Sequence, residues 1–211
     1  MGRGENDGHY TSGMASKSRK DLHNKEVRRR RRRCKSSKRE LVIWDTTKQE
    51  AIMTVKFFQK IIGIKMNLKH IITISKDKVY IHDLEGMTFV SKLDLQFHMS
   101  RVVLSPNISR NKPLIFFSDS TENGILSTFN IERNKIVKKV VAHNTAILKI
   151  ACDLEGYIVA TNSANGDVIR LWTSDTGIKL ATFRQQPNTE LSCISIGQSG
   201  ILTTFTVDGH F

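Results

Sequence analysis

The chain has 211 residues, a mass of 24.0 kDa and a formal net charge of +13, a size that limits it to one or two domains. We expect no transmembrane helix, since no apolar run approaches the roughly 20 residues needed, and no secretory signal, because the N-terminus is polar. The cysteines, Cys34, Cys152 and Cys193, are widely spaced without a CxxC pair, which argues against a disulfide framework or a zinc site and favours a reducing compartment.

Residues 1–39 form a polar, basic leader. The first 40 residues hold 14 Lys and Arg against 5 Asp and Glu, a net charge of +9, which leaves +4 of the total +13 for the other 171 residues. Because the leader has almost no apolar residues, burial cannot offset the entropy of ordering it. We therefore predict a disordered basic tail.

An unbroken run of six arginines, from Arg28 to Arg33, lies within this tail. Such a run is typical of a nuclear-import signal, an RNA-binding arm or a contact for acidic lipid headgroups. It is equally typical of a solvated tail without a specific partner. The charge alone does not choose among these interpretations.

From Glu40 onward the chain consists of short β-branched and aromatic runs that repeat. Each repeat has an apolar run, a polar turn and another apolar run, and the repeats align on Trp44, His82, Phe129 and Trp172, with separations of 38, 47 and 43 residues. That spacing is the period of WD40-like propeller blades, which have roughly 40 to 45 residues and four strands each. The sequence therefore predicts an all-β, WD40-like β-propeller.

The repeat is best developed in residues 142–183, where four apolar runs alternate with turn-prone pieces. The runs are ILKIACD, YIVATNS, DVIRLW and KLATF, which we interpret as four antiparallel strands of one blade. Two further full copies are predicted at 56–93 and 100–140. A half copy precedes them, and another follows with LSCISIG and GILTTFTV, so the content is about four blades.

An incomplete ring of blades leaves sheet edges and apolar blade faces exposed. Two interpretations resolve this. The favoured one is that the chain corresponds to part of a larger ring. In the alternative, residues 41–45 and 49–55 join residues 191–206 in one composite blade and close a small ring.

The chain from Glu40 to Phe211 resembles the PROPPIN family, which includes the WIPI proteins of autophagy. The resemblance lies in VKFFQKIIGIKMNLKHIITISKDKVYIHDLEGMTFV, in LSPNISRNKPLIFFSDSTENGIL and in the blade AH…ATNSANGDVIRLWTSDTGIKLATFRQQ. It implies a seven-bladed β-propeller that binds phosphoinositides at its rim, of which this chain supplies about four blades. The family's Phe/Leu-Arg-Arg-Gly motif has two arginines that serve two headgroup pockets.

In this chain the motif reads Phe183-Arg184-Gln185-Gln186, so only the first arginine is present. The resemblance implies that the first pocket is formed by four side chains, namely His143, Ser163, Arg170 and Arg184. The second pocket loses its cationic fork at Gln185. We therefore expect at most one headgroup site.

The chemistry of these four residues suits a phosphomonoester. Its two negative charges and three acceptor oxygens are held best by guanidinium forks with hydroxyl and imidazole donors beside them. Arg170 and Arg184 would be the forks, Ser163 a donor, and His143 a donor that strengthens when protonated.

Structural roles remain open for each of the four. His143 could bond a neighbouring loop, and Ser163 could close the NSANG turn. Arg170 could pair with Asp167 or Asp175, and Arg184 could be an ordinary exposed arginine.

An enzyme is the least favoured class, because the sequence has no GxSxG, P-loop, HExxH or Rossmann glycine pattern. We expect no catalytic residues, no metal and no cofactor. By resemblance, the function is binding of phosphatidylinositol 3-phosphate or 3,5-bisphosphate in autophagy and in endosomal and vacuolar traffic. The same resemblance implies autophagy-related protein partners and a cytoplasmic protein that is peripheral on phagophore, endosomal or vacuolar membranes.

Two rival functions stay open. The first is a WD-repeat protein-interaction scaffold that has lost lipid binding. The second, and less favoured, is a nucleic-acid arm formed by the arginine-rich tail, which would give binding a steep dependence on salt.

Overall fold

The computed structural model describes residues 38–95, 102–104, 113–118, 123–165, 168–185, 190–197 and 199–207. All its regular elements are β-strands, and none of the described residues forms a helix long and apolar enough to cross a membrane. In chain order the strands are β1 Glu40–Asp45, β2 Glu50–Lys56, β3 Gly63–Met66, β4 His70–Ile74, β5 Lys78–Asp83, β6 Phe89–Asp94, β7 Val102–Leu104, β8 Leu114–Ser118, β9 Gly124–Asn130, β10 Lys135–His143, β11 Ile147–Cys152, β12 Ile158–Ser163, β13 Val168–Thr173, β14 Lys179–Arg184, β15 Leu191–Ile196 and β16 Leu202–Thr206.

The strands form three four-stranded antiparallel sheets, β3–β6, β7–β10 and β11–β14, in which neighbours in the sheet are neighbours in the chain. The three predicted full copies match these sheets. This confirms the all-β fold and the four-stranded repeat unit. The four predicted runs of residues 142–183 correspond to β11, β12, β13 and β14.

The two end hairpins are separate sheets. β1 pairs with β2, and β15 pairs with β16, so the composite blade of the alternative interpretation is not formed. The β15–β16 hairpin instead packs on the sheet that precedes it in the sequence. Leu191 and Ile196 of β15 are buried against Ala160 and Ile169 of that sheet. Local burial thus holds this hairpin without long-range closure.

The aromatic residues that align the repeats share one structural position. Trp44, His82, Phe129 and Trp172 lie on β1, β5, β9 and β13, and the pairing with the following strand shifts register next to each of them. Five residues further on, the backbone always turns left-handed, at Gln49 (φ 55°), Met87 (φ 51°), Asn134 (φ 49°) and Gly177 (φ 68°). The same turn therefore reverses the chain in every copy, which confirms the alignment.

The sheets pack face to face through apolar clusters. One cluster includes Ile72 and Phe117 and joins β3–β6 to β7–β10, and a second includes Phe116 and Trp172 and joins β7–β10 to β11–β14. Strands β4 and β8 are buried at every residue, as expected for strands covered on both faces. This stacking brings the end of β10 beside β12 and β13, where the candidate site lies.

The predicted tail falls outside the described residues except for Lys38 and Arg39. The carbonyl oxygens of these two residues accept hydrogen bonds from the amides of Ile61 and Phe57, each at 2.7 Å. Lys38 and Arg39 therefore belong to the folded part of the chain.

Candidate functional site

A cleft of about 150 Å³ opens where the β10–β11 connection meets the β12–β13 turn. It is lined by His143, Asn144, Thr145, Ser163, Asn165, Val168 and Arg170. Three of the four predicted site residues thus meet in one cleft. The lining residues that the structure describes include no carboxylate or thiol, and no group of three or more His, Cys, Asp or Glu in the described part of the chain could hold a metal ion.

Thr161 is a hydrogen-bonding centre beneath the cleft. Its Oγ1 lies 2.9 Å from Nε2 of His143 and accepts a hydrogen bond of 2.9 Å from Nε1 of Trp172. The same hydroxyl lies 3.4 Å from the carbonyl oxygen of Arg170. His143, Thr161 and Trp172 are all buried, so these hydrogen bonds satisfy polar groups that water does not reach.

Burial and, to a smaller extent, the nearby Arg170 guanidinium lower the pKa of His143 to about 4, against the opposing effect of the hydrogen bond with Thr161. The imidazole is therefore neutral at pH 7. The donor strength that we expected from protonation is reached only in acid. With Nε2 committed to Thr161, the neutral ring has a structural role, and only its other nitrogen remains for a ligand.

Gly124 positions this part of the chain. It pairs with His143 across β9 and β10, and a Cβ at Gly124 would lie 2.5 Å from the His143 Cβ and from the carbonyl oxygens of His143 and Thr145. Only glycine permits so close an approach. The entrance to the cleft is therefore held directly against the preceding sheet.

Arg170 connects two sheets. It lies on β13, opposite Thr161 on β12 and Thr182 on β14, and its Nη1 donates a hydrogen bond to the carbonyl oxygen of Ala142 on β10. Its Nε is buried and has no acceptor among the described residues. A buried cationic donor without an acceptor is costly, and an anion in the cleft would relieve that cost. Asp167, one of its two proposed structural partners, lies outside the described residues.

Ser163 is buried at the end of β12 and lines the cleft. Neighbouring residues make the described contacts around the turn after it. Asn162 Nδ2 donates to the carbonyl oxygen of Val168 at 3.3 Å, across the turn, and the amide of Ala164 donates to the carbonyl oxygen of Ala146, just before β11, at 2.8 Å. The bond that spans the turn is thus made by Asn162.

Arg184 is exposed and is not part of the cleft lining. The pairing register places it opposite Val168, which does line the cleft, and hence on the same sheet face as Arg170. Residues at such diagonal positions lie roughly 7 to 8 Å apart, within reach of long side chains. Gln185, in place of the family's second arginine, has a buried Nε2 without an acceptor among the described residues.

Sequence reasoning missed Thr161 and three polar residues of the lining, Asn144, Thr145 and Asn165. Thr161 had a detectable signal, since it is a hydroxyl within the apolar run YIVATNS. The other three are ordinary turn residues. Only the meeting of two connections shows that they face one cleft.

The equivalent junction beside β3–β6 is aromatic instead of polar. Phe57 directly follows β2, at a place that corresponds to His143 at the end of β10. Its ring centroid lies 4.9 Å from that of Tyr80 and 6.0 Å from that of His82. Tyr80 and His82 occupy the register positions of Arg170 and Trp172. The polar cleft is therefore a property of its own junction and not of every pair of sheets.

Comparison with known proteins agrees with this architecture. The chain is similar to autophagy-related protein 18 of Dictyostelium discoideum, with 27% identity over 177 residues that cover 83% of this chain and 45% of the relative. Its fold matches Hsv2 of Kluyveromyces lactis with a TM-score of 0.68 and 19% identity, covering 80% of this chain and 52% of that one. It also matches KlAtg21, solved in complex with the coiled coil of AgAtg16, with a TM-score of 0.71 and 21% identity over 82% and 57% of the two chains.

The chain thus spans about half the length of the relatives that it matches. The PROPPIN family model matches residues 33–202, which is most of the sequence and includes every described residue of the cleft. The chain therefore belongs to the PROPPIN family.

Proposed function

We propose that this chain binds the phosphorylated headgroup of phosphatidylinositol 3-phosphate or 3,5-bisphosphate through the cleft between β10–β11 and β12–β13. The observation that carries the proposal is the Arg170 guanidinium, whose Nε lacks an acceptor among the described residues, in a cleft whose described lining residues include no carboxylate. A phosphate group would supply the missing acceptor and balance the charge.

The other groups of the cleft suit the same ligand. Ser163 and Thr145 offer hydroxyl donors, and Asn144 and Asn165 offer amide donors, at the edges of a space large enough for a small anion. Phosphate oxygens accept hydrogen bonds from all of these groups. A cation surrounded by neutral donors is the arrangement expected for a phosphomonoester.

Arg184 would be the second fork. Its position on the same sheet face as Arg170, opposite Val168, lets a flexible exposed side chain close over a ligand that already contacts Arg170. Because one pocket on one chain binds without avidity, we expect weak binding that a second membrane contact must strengthen.

The process that we propose is autophagy and endosomal or vacuolar membrane traffic, with the chain cytoplasmic and peripheral on phagophore, endosomal or vacuolar membranes. The support is family membership and similarity to autophagy-related protein 18. The proposal includes autophagy-related protein partners, because the related KlAtg21 was solved with the AgAtg16 coiled coil. It assigns the chain no enzymatic reaction.

Flotation with liposomes that each contain a single phosphoinositide tests the proposal. The full chain should float with phosphatidylinositol 3-phosphate or 3,5-bisphosphate, and Arg184→Ala should lose most of that binding. Arg133→Ala removes an exposed arginine at the β9–β10 turn, on the rim away from the cleft, and is the matched control. Equal binding by the Arg184→Ala variant and the original chain would contradict the proposal.

The second candidate function is a protein-interaction scaffold. The nine-residue outer strand β10 favours it, since Ile136, Val137 and Val141 of that strand are exposed and an outer strand can pair with a partner segment. On this reading Arg184→Ala leaves partner binding intact. The same substitution therefore separates the two functions.

A further inference from the structure

Phe58 is a large apolar side chain held out in solvent. It lies in the connection between β2 and β3, and 92% of its surface is exposed. Its neighbour Phe57 turns the other way and packs on Tyr80 and His82. Phe57 thus anchors the connection to the following sheet, whereas Phe58 projects from it into solvent.

The connection is firmly held, so the exposure of Phe58 does not come from a loose loop. The Phe57 amide donates to the Arg39 carbonyl oxygen at 2.7 Å, and the Ile61 amide donates to the Lys38 carbonyl oxygen at 2.7 Å. The Ile62 amide donates to the Ile74 carbonyl oxygen at 2.8 Å. Backbone hydrogen bonds on both sides of Phe58 therefore fix its position.

Basic residues lie on both sides of Phe58 in the sequence and in the segment that is hydrogen-bonded to its connection. Lys56 and Lys60 flank it in the sequence, and Lys38 and Arg39 belong to the segment bonded to its connection; all four are exposed. The one carboxylate among residues 38–40 and 56–62 is Glu40, which pairs with Lys56 across β1 and β2. These two segments therefore carry a net positive charge.

Phe58 lies on the same rim of the propeller as the cleft. Its connection joins the outer strand of one sheet to the inner strand of the next, and residues 144–146 do the same between β10 and β11. In successive antiparallel sheets of one propeller, connections of this kind lie on one rim. A flat partner could therefore meet both features from the same side.

We propose that Phe58 is a membrane contact that inserts into the interface of an anionic bilayer, with Lys38, Arg39, Lys56 and Lys60 against the headgroups. This extends the membrane binding proposed above with a second contact that does not require the cleft. An aromatic ring gains free energy at the level of the headgroups, and each basic side chain near an anionic surface adds to it. Single-stranded nucleic acid would need successive aromatic platforms along a groove, whereas this connection projects one ring.

The test uses vesicles of phosphatidylcholine and phosphatidylserine without phosphoinositide. Phe58→Ala in the full chain should weaken binding about fivefold or more. Leu68→Ala is the matched control, because Leu68 is 76% exposed, also lies near lysines, and follows β3 at its opposite end; its binding should be unchanged. Unchanged binding by Phe58→Ala, or equal losses in both variants, would overturn the proposal.

A second variant keeps the proposal testable if Phe58→Ala folds poorly. Phe58→Trp should show blue-shifted emission and quenching by brominated lipids when these vesicles are added, measured against the unsubstituted chain with its own tryptophans. Absence of the shift would overturn the proposal, as would loss of RNA-oligonucleotide binding by Phe58→Ala without loss of vesicle binding.

The cleft is tested separately. Arg184→Ala should abolish the extra binding that phosphatidylinositol 3-phosphate adds to these vesicles, and it should leave the Phe58→Trp signal intact. Loss of the extra binding from phosphatidylinositol 3-phosphate alone is therefore an effect on the cleft and leaves the Phe58 proposal standing. Absence of the Trp signal alone contradicts the Phe58 proposal and leaves the proposed function standing.

Discussion

The Nη1 of Arg170 donates a hydrogen bond to the carbonyl oxygen of Ala142, and this contact joins the outer strand of one sheet to the third strand of the next. The residue proposed to hold a phosphate therefore also holds the sheets together. Loss of binding in an Arg170 variant would mix two causes. Arg184, which is exposed, is the cleaner probe of ligand binding.

Arg170→Ala should lower the free energy of unfolding by about 2 kcal/mol, since a hydrogen bond from a charged group to a buried carbonyl is lost. Arg184→Ala should change it by less than about 0.5 kcal/mol, as surface substitutions usually do. Urea denaturation of both variants measures the difference. Equal free energies of unfolding would show that the Arg170–Ala142 hydrogen bond does not stabilise the fold.

Thr161→Val should destabilise the chain by about 2 kcal/mol, because Trp172 Nε1 and His143 Nε2 would lose their shared buried partner. Thr73 is the matched control. It pairs with Tyr80 as Thr161 pairs with Arg170, but its buried Oγ1 has no partner among the described residues. Thr73→Val should therefore be neutral or stabilising, and thermal melts of the pair check the contrast.

Acid should destabilise the fold through its buried histidines. The pKa of His143 is lowered to about 4, and burial also lowers those of His70 and His82. An unfolded histidine takes up its proton near pH 6.5, so between about pH 6.5 and 4 the unfolded state binds more protons and stability falls with the pH. His143 alone accounts for up to about 2 kcal/mol between pH 6.5 and 5.

His143→Asn should make the stability less dependent on pH in this range, as measured by urea midpoints at pH 7 and pH 5. The fall that remains would come from His70, His82 and the carboxyl groups. An unaltered pH dependence of stability in the variant would contradict the conclusion that His143 is buried with a lowered pKa.

Alanine substitutions at two glycines allow the cost of a left-handed backbone to be measured apart from the cost of steric crowding. Gly177 and Gly200 both have a left-handed backbone, with φ of 68° and 74°, so alanine costs each about 1 kcal/mol. A Cβ at Gly177 would also lie 2.5 Å from Cγ2 of Val140, whereas nothing lies within 4 Å at Gly200. We expect Gly177→Ala to cost about 3 kcal/mol and Gly200→Ala about 1 kcal/mol in unfolding free energy. Equal costs would refute the tight contact between this turn and β10.

Removal of residues 1–37 should sharply weaken binding to mixed anionic liposomes, because each basic residue near such a surface contributes about 1 kcal/mol. The deletion retains Lys38 and Arg39, whose carbonyl oxygens hold the connection that contains Phe58. The effect should shrink at high salt, where exposed charges are screened. Liposome binding equal to that of the full chain would show that the arginine run makes no membrane contact.

Much of the fold could be predicted because it depends on short-range pattern. Alternation of apolar runs with turn residues placed β11 to β14, and the repeated aromatic position placed the third strand of each copy. The left-handed turns at Gln49 and Met87 carried no such signal, since neither residue is glycine or asparagine. They became evident only from the backbone, where the repeat imposes the same conformation on different side chains.

The candidate site was only partly predictable. His143, Ser163 and Arg170 were identified through a resemblance, and the structure brings them into one cleft. That His143 is buried and bonded to Thr161 depends on the packing of β10 against β12. A contact between residues of different sheets is absent from any local pattern.

By itself the amino-acid sequence determined the repeat and the strand order, because these follow from periodicity and turn chemistry along the chain, whereas the family followed from the resemblance of particular motifs. The tertiary structure alone decided which donors share a cleft, which imidazole stays neutral, and which phenylalanine is left in solvent. Those properties depend on desolvation and on distances between sheets, and both arise only when separate copies of the repeat pack together.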